Sequence, residues 1–156
     1  MSEDCGLCKR IEQIKAGKHQ RFVAEMPSGY VVLLDNQSHR GITLLLSKVC
    51  VRELHLLTPG ERTSFLEDMS IVAHAVERAF GAAKMNYELL GNSEPHLHWW
   101  LVPRYADEPN PTFPIWSNPD FIRAYEQPKP DDPVAVVESV QNLKRTLVEL
   151  EAPLVS

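Results

Sequence analysis

Apolar residues recur along this chain at two spacings. Leu7, Ile11 and Ile14 fall at helical intervals, and Gly17 stands where a C-cap ends a short first helix. Residues 22–25, 30–34 and 41–48 are short β-rich runs, and the last two, joined by the loop 35–40, predict an antiparallel hairpin. Thr58-Pro59-Gly60-Glu61 supplies an N-cap, a proline at the first helical position and a glutamate that closes a capping box. Phe65, Met69, Val72, Val76 and Phe80 then form one stripe, and Gly81 ends this long helix. Two more strands, 84–90 and 96–102, flank the turn Gly91-Asn92-Ser93-Glu94-Pro95.

The pattern changes after residue 102. Eight of the 12 prolines lie between Pro103 and Pro133, and no glycine follows Gly91, which excludes a central strand there. Phe113, Trp116, Phe121 and Tyr125 punctuate this stretch, so residues 103–133 read as a long ordered wrap. Asp132-Pro133 opens a final helix over 132–152 with Val134, Val137, Leu143, Leu147 and Leu150 on its buried side. Antiparallel strands with helices set to one side predict a single α+β domain over 1–156, with a sheet of about five strands.

Composition narrows the function classes. At 44% hydrophobic and 24% charged the chain has a globular balance, which excludes wholesale disorder. A net charge of −5 argues against a surface that coats long nucleic acid, but leaves room for a local anion pocket. The longest apolar run, residues 30–34, is far short of the ~18–20 residues of a membrane span. With an acidic start at Met1–Asp4 and no apolar leader, the expectation is a soluble, cytoplasmic protein.

Three cysteines cannot all pair, so metal or redox chemistry is favoured over a disulfide framework. Cys5-Gly6-Leu7-Cys8 has metal spacing, but the spacing alone also admits a redox dithiol or two incidental thiols. A thioredoxin-like site needs a strand leading into the CxxC, and only four residues precede Cys5. A zinc site needs two further ligands. Cys50, just after a predicted strand, and His96 would complete a Cys3His set that ties the N-terminal helix (1–17) to the sheet. Spacing alone favours the alternative that Cys50 is a small buried apolar residue.

On the strand 96–102, His96, His98, Trp100 and Val102 share one face, while Leu97, Trp99 and Leu101 share the other. The two imidazoles then stand ~7 Å apart at Cα, and each needs a partner if buried. They could be two satisfied core histidines, or a His-x-His pair on one catalytic metal.

Residues 91–104, GNSEPHLHWWLVPR, resemble the signature of the histidine-triad (HIT) nucleotide-binding superfamily, whose strand reads His-φ-His-φ-His-φ-φ. Asp35, the segment Lys48-Val49-Cys50-Val51, Asn86 and the N-terminal CxxC extend the likeness over about residues 5–116, closest to the bacterial branch likened to diadenosine-polyphosphate hydrolases. The resemblance implies that His98 attacks the α-phosphorus of a nucleotide and forms a nucleotidyl-histidine. It implies that Asp35 accepts hydrogen bonds from ribose hydroxyls, and that Asn86, Asn92 and Ser93 contact substrate. It implies a purine nucleotide or dinucleoside polyphosphate as ligand, a homodimer, and structural zinc on Cys5, Cys8, Cys50 and His96, with Cys50 standing where the family has histidine.

Trp100 is the main departure, since it occupies the position of the third histidine, which in the hydrolases bonds phosphate and leaving-group oxygens. An indole offers one N–H and no titratable proton near neutrality. Turnover is therefore expected to be impaired, and a nucleotide-binding or sensing protein without turnover is the alternative. Arg104 reads as structural, Trp99 as core and His39 as a solvated loop residue.

Overall fold

A computed structural model describes residues 5–130 and 132–155; Met1–Asp4, read above as an acidic leaderless start, lie outside them. The elements run α1 (Gly6–Lys15), β1 (Phe22–Glu25), β2 (Gly29–Leu33), β3 (Thr43–Ser47), α2 (Pro59–Phe80), β4 (Lys84–Glu88), β5 (His98–Arg104), α3 (Pro119–Glu126) and α4 (Pro133–Glu149), with 3-10 turns at Leu54–Leu56 and Ile115–Ser117. The strands form one sheet in the order β1-β2-β3-β5-β4, and each neighbouring pair is antiparallel. This is the α+β class and the antiparallel architecture that the sequence predicts.

Strand alternation divides the core. Val31, Leu33, Leu45, Leu97 and Leu101 pack on one face beneath Phe65, Val72 and Val76 of α2 and Leu143 and Leu147 of α4. Tyr30, Val32, Leu44, Leu46 and Val102 pack on the other beneath Leu7, Ile11 and Ile14 of α1, and Ile115 and Phe121 of the proline-rich stretch. Both faces are thus covered, which is why β2 and β3 are buried at every position.

The capping box of α2 forms as read: Thr58 caps the Glu61 N–H while the Glu61 carboxylate accepts from the Thr58 backbone. Gly81 takes φ 67° to end that helix. Gly41, at φ 86°, approaches Phe80 so closely that a Cβ there would stand 2.8 Å from the ring. Val155 lies on the sheet edge, where its N–H donates to the Glu25 carbonyl at 2.9 Å.

Three expectations need correction. Val134 and Val137 are 64% and 51% exposed, because only the second half of α4 reaches α2 and the sheet. The proline-rich stretch contains a helix, α3, in which the Asn118 side chain caps the N–H groups of Asp120 and Phe121 and Pro119 takes the first turn. β5 begins at His98 and runs through Pro103 to Arg104; by Pro103 it has passed the end of β3 and pairs with β4 alone.

Candidate metal centre and histidine site

The Cys5 sulfur caps α1 and accepts the Cys8 N–H at 3.3 Å, so the start of the helix sets both thiols at one point. Cys50 lies three residues after β3 and His96 two residues before β5. One donor atom from each of Cys5, Cys8, Cys50 and His96 lies within 4.8 Å of all the others. The His96 Nδ1 stands 3.4 Å from the Cys5 sulfur and 3.5 Å from the Cys8 sulfur. Zinc bonded at its usual lengths holds sulfur and nitrogen ligands about 3.5–3.8 Å apart, so these positions fit a tetrahedral ion.

The surroundings suit a cation. His96 Nε2 lies 2.8 Å from the Ser47 carbonyl, and donation there leaves the Nδ1 lone pair facing the thiols. Burial lowers the basicity of His96, which keeps the ring neutral and able to ligate. Without a cation the Cys8 thiol is pushed up to about 12, first by burial and then by hydrogen bonding and repulsion from Cys50 and Cys5. A divalent ion would reverse that preference by compensating the thiolate charge. Gly6 matters here because a Cβ would meet the Glu94 carboxylate at 2.7 Å; the acidic group lies against the first turn of α1, where a helix favours negative charge.

His98 opens β5 opposite Leu46 and is 7% exposed. Its Nδ1 lies 2.6 Å from the His96 carbonyl, which accepts only from a proton-bearing nitrogen, so Nδ1 donates and the neutral form of the ring carries its lone pair on Nε2. The backbone of the last metal-corner residue therefore sets the tautomer of the next histidine.

Trp100 follows on the same face, opposite Leu44 of β3 and Glu88 of β4. Its ring centroid lies 5.8 Å from Trp116 and 6.3 Å from Tyr125, and both of those rings also contact Phe121. The Trp116 indole N–H donates to Glu88 Oε2 at 2.6 Å. An aromatic cluster therefore surrounds Trp100, two residues along the same strand face from His98.

The other expected contacts are dispersed. Asp35 is paired with Arg10 at 2.5 Å and lies 3.8 Å from Arg21, with its side chain 58% exposed. Asn86 Oδ1 accepts from Arg104 at 2.8 Å. Asn92 and Ser93 are exposed on the β4–β5 loop. Arg104 is structural, as read: buried at 4% exposure, it also bonds Glu108 and the Phe113 carbonyl and so anchors the proline-rich stretch. His39 is not solvated. Its Nε2 lies 2.6 Å from the Pro103 carbonyl, and its ring meets Tyr105 and Phe121. Two clefts lie away from His98: one of about 420 Å3 between α3, α4 and Gln37, Ser38 and Arg40, and one of about 530 Å3 along β4 against residues 111–115.

Comparison with known proteins decides the family, because the HIT domain pattern matches residues 16–107, more than half of the chain. The chain belongs to the HIT-domain family. Solved HIT structures share its fold. A histidine triad protein from Bradyrhizobium japonicum superposes with a TM-score of 0.69 at 19% identity, covering 92% of this chain and 98% of the other. A histidine triad nucleotide-binding protein from Sulfolobus tokodaii gives 0.70 at 15% identity, covering 92% and 94%. A zinc-bound histidine triad family protein from Mycobacterium smegmatis gives 0.66 at 19% identity, covering 95% and 96%. None of the curated proteins compared matches significantly. HIT proteins are generally nucleotide-binding hydrolases or transferases. Among the described residues no helix is long and apolar enough to cross a membrane.

Proposed function

We propose that this HIT protein cleaves a purine nucleotide derivative, such as a dinucleoside polyphosphate, at its α-phosphorus through a nucleotidyl-His98 intermediate. The observation that carries the reading is the Nδ1 contact of His98 with the His96 carbonyl at 2.6 Å, which in the neutral ring puts the attacking lone pair on Nε2. Its lone pair attacks phosphorus, the leaving group departs, and water then cleaves the N–P bond to restore His98. Asp35 exchanges its Arg10 partner for ribose hydroxyls, while Asn86, Asn92, Ser93 and Trp100 contact the substrate.

Cys5, Cys8, Cys50 and His96 hold a structural zinc, in keeping with their mutual spacing. With four protein ligands the ion keeps no open position and serves to fix the end of β5 that carries His98. The protein works as a homodimer in the cytoplasm. Incubation with radiolabelled diadenosine tetraphosphate tests the reading: acid-quenched protein carries label, and His98→Ala abolishes both label and turnover. Label retained in His98→Ala overturns the assignment. The aromatic setting of Trp100 favours one second reading, nucleotide binding without turnover, which predicts saturable binding and no product.

A further inference from the structure

The surroundings of His98 narrow the bond that it can break, an inference that rests on the nucleotidyl-transfer reading above. Two residues back along the chain is His96, whose Nε2 faces the Ser47 carbonyl and whose Nδ1 faces the Cys5 and Cys8 sulfurs. Across the ladder is Leu46; two residues forward is Trp100, itself opposite Leu44 and Glu88. Trp100 is packed against Trp116 and Tyr125, and the only carboxylate in this set, Glu88, accepts the Trp116 N–H at 2.6 Å. The leucines have no polar atom, and an indole can donate a hydrogen bond but not transfer its proton near neutrality.

We propose that the protein is selective for phosphoanhydrides over phosphoramidates, because the residues flanking His98 cannot protonate a departing amine. In an anhydride the Nε2 lone pair forms the N–P bond as the P–O bond breaks. The electron pair leaves on oxygen as a phosphate anion that is stable in water without a proton. In a phosphoramidate the P–N bond must break, and the nitrogen departs as an amine only if it receives a proton at the same time. Water then attacks the nucleotidyl-histidine, the N–P electron pair returns to Nε2, and the water proton passes to solvent.

The test compares kcat/KM of the full chain for diadenosine tetraphosphate and adenosine 5′-phosphoramidate. General acid assistance contributes roughly 10²–10⁴ in rate, so the anhydride is expected to lead by at least ~100-fold. Trp100→His should raise the phosphoramidate-to-anhydride ratio by ~10-fold or more, whereas Trp100→Gln, which has no proton to transfer, should not. Should Trp100→His fail to fold, aryl esters of adenosine 5′-phosphate provide the same information on the unmodified protein, with rates falling steeply as the phenol pKa rises from about 4 to 10.

Phosphoramidate turnover within ~10-fold of the anhydride, or a flat dependence on phenol pKa, overturns the proposal. Loss of such turnover in Glu88→Gln would then assign the proton to Glu88. Absence of turnover on every substrate, with no label on His98, instead removes the underlying nucleotidyl-transfer reading and this selectivity with it. Labelled His98 with equal rates on both substrates removes the selectivity alone.

Discussion

The two flanks of His98 are built by different physics. On one side four polar donors from residues 5, 8, 50 and 96 converge within 4.8 Å around a point that suits a cation. On the other side the rings of Trp100, Trp116, Phe121 and Tyr125 pack edge to face, tilted or stacked, with neighbouring centroids 5.2–6.3 Å apart. The first arrangement is directional and depends on every donor, whereas the second distributes its energy over many weak contacts. The difference teaches that the His98 ring is oriented from the polar flank, while the indole side chains of the apolar flank hold no proton that titrates near neutrality.

The largest expected effect comes from the polar flank. Cys8→Ser should abolish stoichiometric zinc, measured by elemental analysis, and lower Tm by about 10 °C or more, since a metal bound only by the folded chain adds its binding energy to stability. A chelator should reproduce that loss in the unmodified chain. Unchanged Tm and metal content would show that the four donors do not act together. The aromatic flank should respond less. Trp116→Ala should cost about 2–3 kcal/mol by urea unfolding, below the buried-ring range because Trp116 is 37% exposed. That cost should be the same with and without chelator if the flanks are independent.

Smaller effects test the α1 end. Arg10→Ala should change stability by less than about 1 kcal/mol, as for an exposed ion pair. By freeing Asp35 it should tighten nucleotide binding a few-fold in calorimetry; weaker binding would place Arg10 on the ligand. The smallest effect is a pH slope. Burial, followed by the Arg10 charge, lowers the pKa of His19 below its usual value. The unfolded chain then takes up the proton first, so this contribution is complete above about pH 6.5 and is lost as pH falls towards the folded-state value. His19→Gln should flatten that slope in Tm measured between about pH 5 and 7.

Local signals made much of this architecture legible. Thr58 and Glu61 announced α2 because a capping box is satisfied within four residues, and alternation on 96–102 separated His98 and Trp100 from Leu97 and Leu101. The donor cluster was legible only in part: CxxC spacing marked two of its members, but spacing alone favoured an apolar role for Cys50, and the resemblance supplied the rest. α3 was missed because proline density obscured the Asn118-Pro119 start, although each residue fits its helical position. Val134 and Val137 satisfied helical periodicity but lie beyond the surface that α4 covers. The Arg10–Asp35, Arg104–Asn86 and Trp116–Glu88 contacts span 25, 18 and 28 residues, and nothing local encodes them.

The spread of the four donors also orders events during synthesis. Cys5 and Cys8 emerge first, Cys50 later, and His96 follows Cys50 by 96 − 50 = 46 positions. At ribosomal speeds of about 5–20 residues per second, that interval lasts roughly 2–9 s. Throughout it three thiols are present without the imidazole that completes the cluster, and β5 is not yet available to pair with β3. The growing chain therefore carries three thiols without their fourth partner until His96 is made, two residues before β5 begins.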